Sequence, residues 1–217
     1  MAVFLGHFAV GFAAKRVAPK ASIGTLLAAA QLLDLLWPVL LLLGVEHVRI
    51  VPGAAPFAVL DFTDYPLSHS LLLTLIWAGL FAVLYRVRTG YTTGAVWVWI
   101  CVVSHWVLDF ASHRPDLPLW PGGPRLGLGL WNSPPATLAV EIAMFAGALW
   151  SYFALTRARD AIGRWALLAL LLFLIFAYCG SVTGPPPPNL RVLALTGMVG
   201  WLLVPWIYWI DRHRELR

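Results

Sequence analysis

The stretch that decides the fold is residues 104–115, which reads SHWVLDFASHRP and closes an apolar run that begins near Tyr91. A run of this length predicts a membrane-spanning helix, and Pro115 is expected to end it because proline cannot continue a helix. His105 and Asp109 then lie inside the span on one helix face, with about 6 Å of rise between them. Ionisable side chains at that depth are costly and usually mark a function. The pair predicts a shared metal ion, a proton relay or a mutual hydrogen bond.

The composition of the whole chain is typical of a membrane protein. Of its 217 residues, 60% are hydrophobic and 12% are charged, and the mean hydropathy is +0.80. A soluble domain of this length does not hide so much apolar surface, so we predict an all-α polytopic bundle that forms one integral membrane domain over residues 1–217. Basic loops explain the net charge of +5, and nucleic acid is not an expected partner.

Seven apolar segments follow one another along the chain. Residues 1–14 are too short to cross a bilayer and predict a short, re-entrant or tilted helix that carries His7. About six spans follow, at approximately residues 21–44, 66–85, 91–112, 135–155, 164–183 and 191–210. Asp64 is predicted to cap the second span. Residues 1–115 contain the candidate metal site, and residues 116–217 supply an outer loop and scaffold helices.

The distribution of lysine and arginine predicts the orientation. Most of the 15 basic residues lie in termini and loops that share one side of the membrane. The alternate loops contain only Arg49, Arg114, Arg125 and Arg191. Basic loops stay in the cytoplasm, so both termini are predicted to be cytoplasmic, in a bacterial or archaeal cytoplasmic (inner) membrane.

Four spans then place an ionisable side chain in the outer half of the bilayer. Asp34 and His105 are expected about 15 Å below the outer surface, Asp109 and Glu141 about 8 to 9 Å, and His69 about 5 Å. Asp34 is the one acid in its span, so it must find a partner. This coincidence of depth is the strongest functional signal in the chain.

We predict that these residues bind one divalent metal near the outer face, with zinc as the first choice and manganese as the alternative. The predicted ligands are His69, His105 and Asp109, with His7 or Asp34 completing the set and one position left for water. Glu141 and Asp34 are the candidate catalytic residues, and Glu141 is predicted to be a base or to orient a histidine.

Two outer loops are expected beside the site. The first precedes Pro66, and its charges, which include Glu46, are expected to be solvated. The second runs from Arg114 to Asn132, and its glycines are predicted to let the backbone approach a ligand closely. The predicted substrate-binding residues in or next to this loop are His113, Arg114, Arg125 and Asn132, with the arginines clamping an anionic group.

These motifs, in this order, resemble those of the YdjM-like family of bacterial inner-membrane proteins, which are classed as metal-dependent hydrolases. The family has a His in a short N-terminal helix, a Leu-Pro-Asp-x-Asp element, a Thr-His-Ser and a late His-x-x-x-Asp. The corresponding residues here are His7, Asp34, His69 and His105 with Asp109. The resemblance covers roughly residues 1–115 and implies metal-dependent hydrolysis. Leu36 stands where the family has its second acid.

The expected function is hydrolysis of a lipid or lipid-linked phosphoester that enters from the outer leaflet, with membrane lipid as the surrounding partner. An ion-coupled transporter or permease is the alternative, since the same buried acids and histidines bind protons or cations in transit. That alternative predicts polar groups continuing toward the cytoplasm, where the spans have few. A non-catalytic membrane scaffold is the third class, and it predicts no bound metal.

Overall fold

The structure is a computed structural model that describes residues 4–51, 53 and 57–217. Five of the helices in these ranges are long and apolar enough to cross a membrane. They are α5 (Leu71–Thr89), α6 (Thr92–Ser112), α7 (Pro134–Leu155), α8 (Ala161–Thr183) and α9 (Leu190–Arg212). Two shorter helices, α2 (Ile23–Ala30) and α3 (Leu32–Leu42), are apolar enough only when taken together, and the 55° bend between them is that of a broken span or a re-entrant loop. The chain is therefore an all-α polytopic membrane bundle, as the composition predicts.

The bend in the first span lies at Gln31, between α2 and α3. It places Asp34 in the first turn of α3, inside the bundle. Helix α3 also contains Pro38, which packs closely against Gly197 of α9. A Cβ at Gly197 would lie only 2.9 Å from the Pro38 Cβ. The predicted continuous helix over residues 21–44 is thus two helices with different directions.

The short helix α1 (Phe4–Val17) packs mainly against α7 and α2. At its start, the Leu5 N–H donates to Glu141 Oε2 at 3.2 Å. At its end, Lys15 Nζ lies 3.7 Å from Asp211 Oδ1, near the end of α9. Helix α1 therefore runs from the level of Glu141 to the side where α9 ends. The prediction that the N-terminus is cytoplasmic concerns residues 1–3, which lie outside the described residues.

The second span begins later than predicted. A four-residue helix, α4 (Pro66–His69), comes first, and then Ser70 adopts an extended conformation with ψ of 146°. The Ser70 hydroxyl caps α5 by accepting from the Leu73 N–H at 3.3 Å. The predictions that the span begins at residue 66 and that Asp64 caps it were wrong. Asp64 instead ends a β-strand, and no side-chain cap precedes α4.

Small two-stranded sheets cover both ends of the bundle. At the end of the bundle that is predicted to face outward, called the outer end below, β1 (His47–Ile50) pairs with β2 (Leu60–Asp64), and β3 (Leu117–Pro118) pairs with β4 (Arg125–Leu126), both antiparallel. On the opposite side, β5 (Thr156–Ala158) pairs with β6 (Arg214–Leu216), which joins the end of the chain to the α7–α8 connection. The outer hairpins cover the end of the bundle where the candidate site lies.

The glycine-rich part of the second outer loop packs against the end of α6. The Leu128 N–H donates to the Phe110 carbonyl at 2.8 Å, and the Gly129 N–H donates to the His113 carbonyl at 2.7 Å. A Cβ at Gly127 would lie 2.1 Å from the Arg114 carbonyl oxygen. The glycines predicted to let the backbone approach a ligand instead let it approach the end of α6. There the loop N–H groups pair with carbonyls that lack a partner within the helix.

Candidate metal centre

Asp109 lies at the centre of a buried cluster of histidines. Its Oδ2 is 3.3 Å from His105 Nε2 and 3.7 Å from His69 Nε2. Its Oδ1 is 3.2 Å from His7 Nε2 and 3.9 Å from His113 Nε2. Four of the six histidines in the chain therefore direct Nε2 at one carboxylate. They come from α1, from α4 and from the end of α6, so only the tertiary fold brings them together.

A second carboxylate, that of Asp34, completes the cluster. Its Oδ1 lies 3.7 Å from His69 Nε2 and 3.8 Å from His105 Nε2. Two sets of three side chains have possible ligand atoms within 4.8 Å of one another: His7, Asp34 and His105, and His69, His105 and Asp109. The structure thus brings together the five candidate metal ligands, which are His7, Asp34, His69, His105 and Asp109.

His105 belongs to both sets, and only one of its ring nitrogens is free to bind a metal ion. Its Nδ1 lies 2.8 Å from the Ala30 carbonyl oxygen. That carbonyl belongs to the last turn of α2, whose carbonyls have no partner inside the helix. Because a carbonyl only accepts, Nδ1 carries a proton, and in the neutral ring Nε2 carries the lone pair. His105 Nε2 is buried, and it has no hydrogen-bond partner within the described residues.

A short chain of hydrogen bonds fixes His69 in the same tautomer. The Ser68 hydroxyl donates to Glu46 Oε2 at 2.6 Å and lies 2.6 Å from His69 Nδ1. Since the hydroxyl proton is committed to Glu46, His69 Nδ1–H donates to the Ser68 oxygen, and Nε2 is left as the acceptor. Glu46 also accepts from the Ser68 N–H at 2.8 Å.

The prediction that Glu46 is solvated was wrong, because this side chain is 0% exposed. Its carboxylate is buried under the first outer hairpin, where the backbone and hydroxyl of Ser68 satisfy it. The hydroxyl beside His69 was the one available sequence signal, since serine side chains often bridge a histidine to an acid. Nothing in the sequence spacing links Glu46 to residue 68.

His113, predicted to bind substrate, lies at the edge of the cluster. Its Nδ1 is 2.8 Å from Asp116 Oδ1, and its ring packs on Trp131 with centroids 4.0 Å apart. The Tyr65 hydroxyl also donates to Asp116 Oδ1, at 3.1 Å. Burial and the Asp116 carboxylate raise the pKa of Tyr65 well above its ordinary value, so the hydroxyl remains a donor. The contact with Asp116 orients the His113 ring, and the sequence did not predict this role of Asp116.

His7 is held differently from the other three histidines. Its ring stacks on His105, with centroids 3.6 Å apart and an interplanar angle of 4°. Its Nδ1 is buried and has no hydrogen-bond partner in the described part of the chain. Its Nε2, 3.2 Å from Asp109 Oδ1, is therefore the nitrogen placed to donate to that carboxylate.

The remaining predicted site residues have other contacts. Glu141 accepts from the Leu5 N–H, which holds α1 against α7, and its predicted role as a base stays a prediction. Arg114 pairs with Asp61 and Asp116. Arg125 donates to the Thr63 carbonyl at 2.6 Å, which ties the two outer hairpins together. Asn132 lies exposed in a 3-10 turn, Leu130–Asn132. The structure does not gather these four residues around the cluster.

The spacing of the cluster fits a small divalent cation. In their neutral form, His69 and His105 direct their Nε2 lone pairs at carboxylate oxygens, which is unfavourable unless a cation binds between them or the rings are protonated. The four distances that join these nitrogens to Asp34 and Asp109 range from 3.3 to 3.8 Å. Ligands on a tetrahedral ion with bonds of about 2.1 Å lie about 3.4 Å apart.

The chain matches no protein-family model, no curated protein and no solved structure. The fold and the site define its class by themselves: a polytopic membrane protein with a buried histidine and aspartate cluster among its helices.

Proposed function

We propose that this chain is a membrane-embedded, metal-dependent hydrolase of the cytoplasmic membrane of bacteria or archaea. The observation that carries the proposal is that His69 and His105 have their Nδ1 atoms committed to acceptors and their Nε2 lone pairs aimed at Asp109. Metal-binding histidines are held in this way, because a partner on one nitrogen orients the ring and fixes the tautomer. The YdjM-like resemblance of residues 1–115 supports the same reaction class.

The ligand set is His69, His105 and Asp109. The alternative set with His7 competes for the single free nitrogen of His105, and His7 lacks an acceptor on its own Nδ1. In the favoured set, His7 donates to Asp109 and steadies this ligand, as partners of coordinating carboxylates do. Three protein ligands and an open fourth position are typical of catalytic zinc.

Asp34 is the candidate base of the reaction. Its side chain is 21% exposed, whereas those of His69 and Asp109 are each 5% exposed and that of His105 is 0% exposed. Asp34 therefore lies on the accessible side of the cluster, where it accepts a proton from the attacking water. A bound divalent ion lowers the pKa of its water and polarises the substrate oxygen.

The substrate class follows from the depth of the site. An amphiphile reaches a cluster among apolar helices from the bilayer, which favours a lipid or a lipid-linked phosphoester approaching from the outer leaflet. Arg114 and Arg125 are engaged with Asp61 and with a backbone carbonyl, so the metal and not an arginine clamp is proposed to bind the anionic group.

Metal content of the detergent-purified protein tests the proposal. We expect roughly one zinc or manganese ion per chain, and its loss in His105→Ala. His47→Ala is the matched control, because His47 is an exposed histidine on β1, and it should retain the ion. Equal metal content in the parent and His105→Ala, with both folded, would overturn the metal site.

Hydrolysis of phospholipids and lipid-linked phosphates in proteoliposomes tests the role of Asp34. Asp34→Asn is expected to keep its metal and to lose turnover. Metal-dependent ion or solute flux that disappears in Asp34→Asn, without hydrolysis by the parent, would instead identify a transporter.

A further inference from the structure

A groove of about 550 Å³ runs between α8 and α9 and reaches the candidate metal centre at Asp34. Aliphatic and aromatic side chains, glycines and prolines line most of it. Within the described residues, its polar side chains are those of Gln31, Asp34, Ser181 and Thr196. A mainly apolar groove with a few polar groups is typical of a site for an amphiphilic ligand.

The direction and length of the groove fit a hydrocarbon chain. Its wall on α9 extends from Val192 to Ile207, which corresponds to about 22 Å along the helix. At the outer end it is bounded by residues 185–187, in the turn between α8 and α9. One leaflet of the hydrocarbon core is about 15 Å thick, so the groove has room for a whole lipid chain parallel to the spans.

A buried polar group is available where the groove meets the cluster. Gln31 is 8% exposed, and its Nε2 has no hydrogen-bond partner among the described residues. It lies at the bend between α2 and α3, three residues before Asp34, and both side chains line the groove. An unsatisfied buried donor is costly, and a ligand oxygen removes that cost.

We propose that the groove binds the hydrocarbon chain of the substrate lipid, and that Gln31 donates to an ester or phosphoester oxygen beside Asp34. This inference rests on the proposed function, since it names the lipid that the metal site acts on. The chain lies along α8 and α9, so these helices are substrate-binding elements and not scaffold alone. The head group then lies next to His69 and His105.

The test is photo-cross-linking with a single-chain phospholipid that carries a diazirine near the end of its chain, in phosphatidylcholine vesicles. Gly180 lines the groove, and a Cβ there meets no atom within 4 Å, so Gly180→Trp is chosen to fill the groove. Gly147 is the matched control, because it is also an exposed helical glycine with nothing within 4 Å and it is not part of the groove. Ala177→Trp is a second blocking variant.

We expect cross-links on groove residues of α8 and α9 in the parent and in Gly147→Trp, and the loss of most of them in both blocking variants. A single symmetric peak in size-exclusion chromatography of the same samples reports whether each variant is folded, and metal content is measured beside it. Equal cross-linking in the blocking variants and in Gly147→Trp would overturn the groove assignment while the metal site stands. Groove-dependent cross-linking in a protein without metal would support chain binding and overturn the hydrolase.

Discussion

Histidine and aspartate side chains meet at both ends of this bundle, but the two arrangements differ. At the outer end, four histidines share Asp109, whose side chain is 5% exposed. At the opposite end, His213 Nδ1 lies 2.6 Å from Asp160 Oδ2, and the two side chains are 27% and 45% exposed. The same two residue types thus form a buried cluster in one place and a solvated pair in the other.

The difference separates a candidate metal site from a structural pair. Asp160 caps α8 by accepting from the Gly163 N–H at 2.9 Å, and His213 satisfies its other oxygen. At the outer end, the acceptors on the Nδ1 atoms of His69 and His105 leave their Nε2 lone pairs facing carboxylates. Residue type and proximity therefore do not identify a metal site. The direction of the Nε2 atoms that have no other hydrogen-bond partner does.

The largest expected effect is the loss of metal in Asp109→Asn. This change keeps the shape of the side chain but removes the charge that four histidines face, so the bound ion should disappear. Asp160→Asn should keep full metal content, because that carboxylate only caps a helix. Elemental mass spectrometry of both purified variants measures the contrast. Metal loss in both, or in neither, would contradict the distinction between the two ends.

A smaller effect is expected when the support of His69 is removed. Ser68→Ala and Glu46→Gln should each weaken metal affinity by about 10- to 100-fold, because an unsupported ligand ring loses its orientation. Ser104→Ala is the control, since that hydroxyl donates to the Cys101 carbonyl of its own helix. Competition with a zinc chelator measures the three affinities. Affinity unchanged in both Ser68→Ala and Glu46→Gln would show that the hydrogen-bond chain does not position the ligand.

The smallest expected effect concerns the opposite end and its pH dependence. The hydrogen bond from the Gly163 N–H, followed by that from His213, lowers the pKa of Asp160. A lowered pKa adds stability above the ordinary aspartate value of about 3.9, and this stability is lost as the pH falls through the lowered pKa. Asp160→Asn keeps a good cap without the charge, so its Tm should lie slightly below the parent's at neutral pH.

The Tm difference between Asp160→Asn and the parent should shrink as the medium is made more acidic than the ordinary aspartate pKa. Thermal melts in detergent across this range measure it, with metal content as the control. A difference that stays constant with pH would mean that the charge of Asp160 does not stabilise the pair.

Much of the candidate cluster could be predicted from the sequence because burial of charge is expensive. His105 and Asp109 share a helix face through their spacing, and the apolar surroundings of Asp34 require a partner for it. The roles of Glu46 and Asp116 could not be predicted, since each reaches its histidine through contacts between different elements. Arg114 and Arg125 contact a carboxylate and a carbonyl of the chain itself, and their predicted role in substrate binding stays a prediction.

The sequence by itself determined the class of fold, since apolar runs of about 20 residues must satisfy their backbone hydrogen bonds as helices in a bilayer. It also determined which side chains are too costly to bury without a purpose. Tertiary structure alone decided the bend at Gln31, the hydrogen-bond partners that orient His69 and His105, and the groove that Asp34 lines. These features depend on the carbonyls, hydroxyls and helix faces that meet one another, and such contacts join residues that are far apart along the chain.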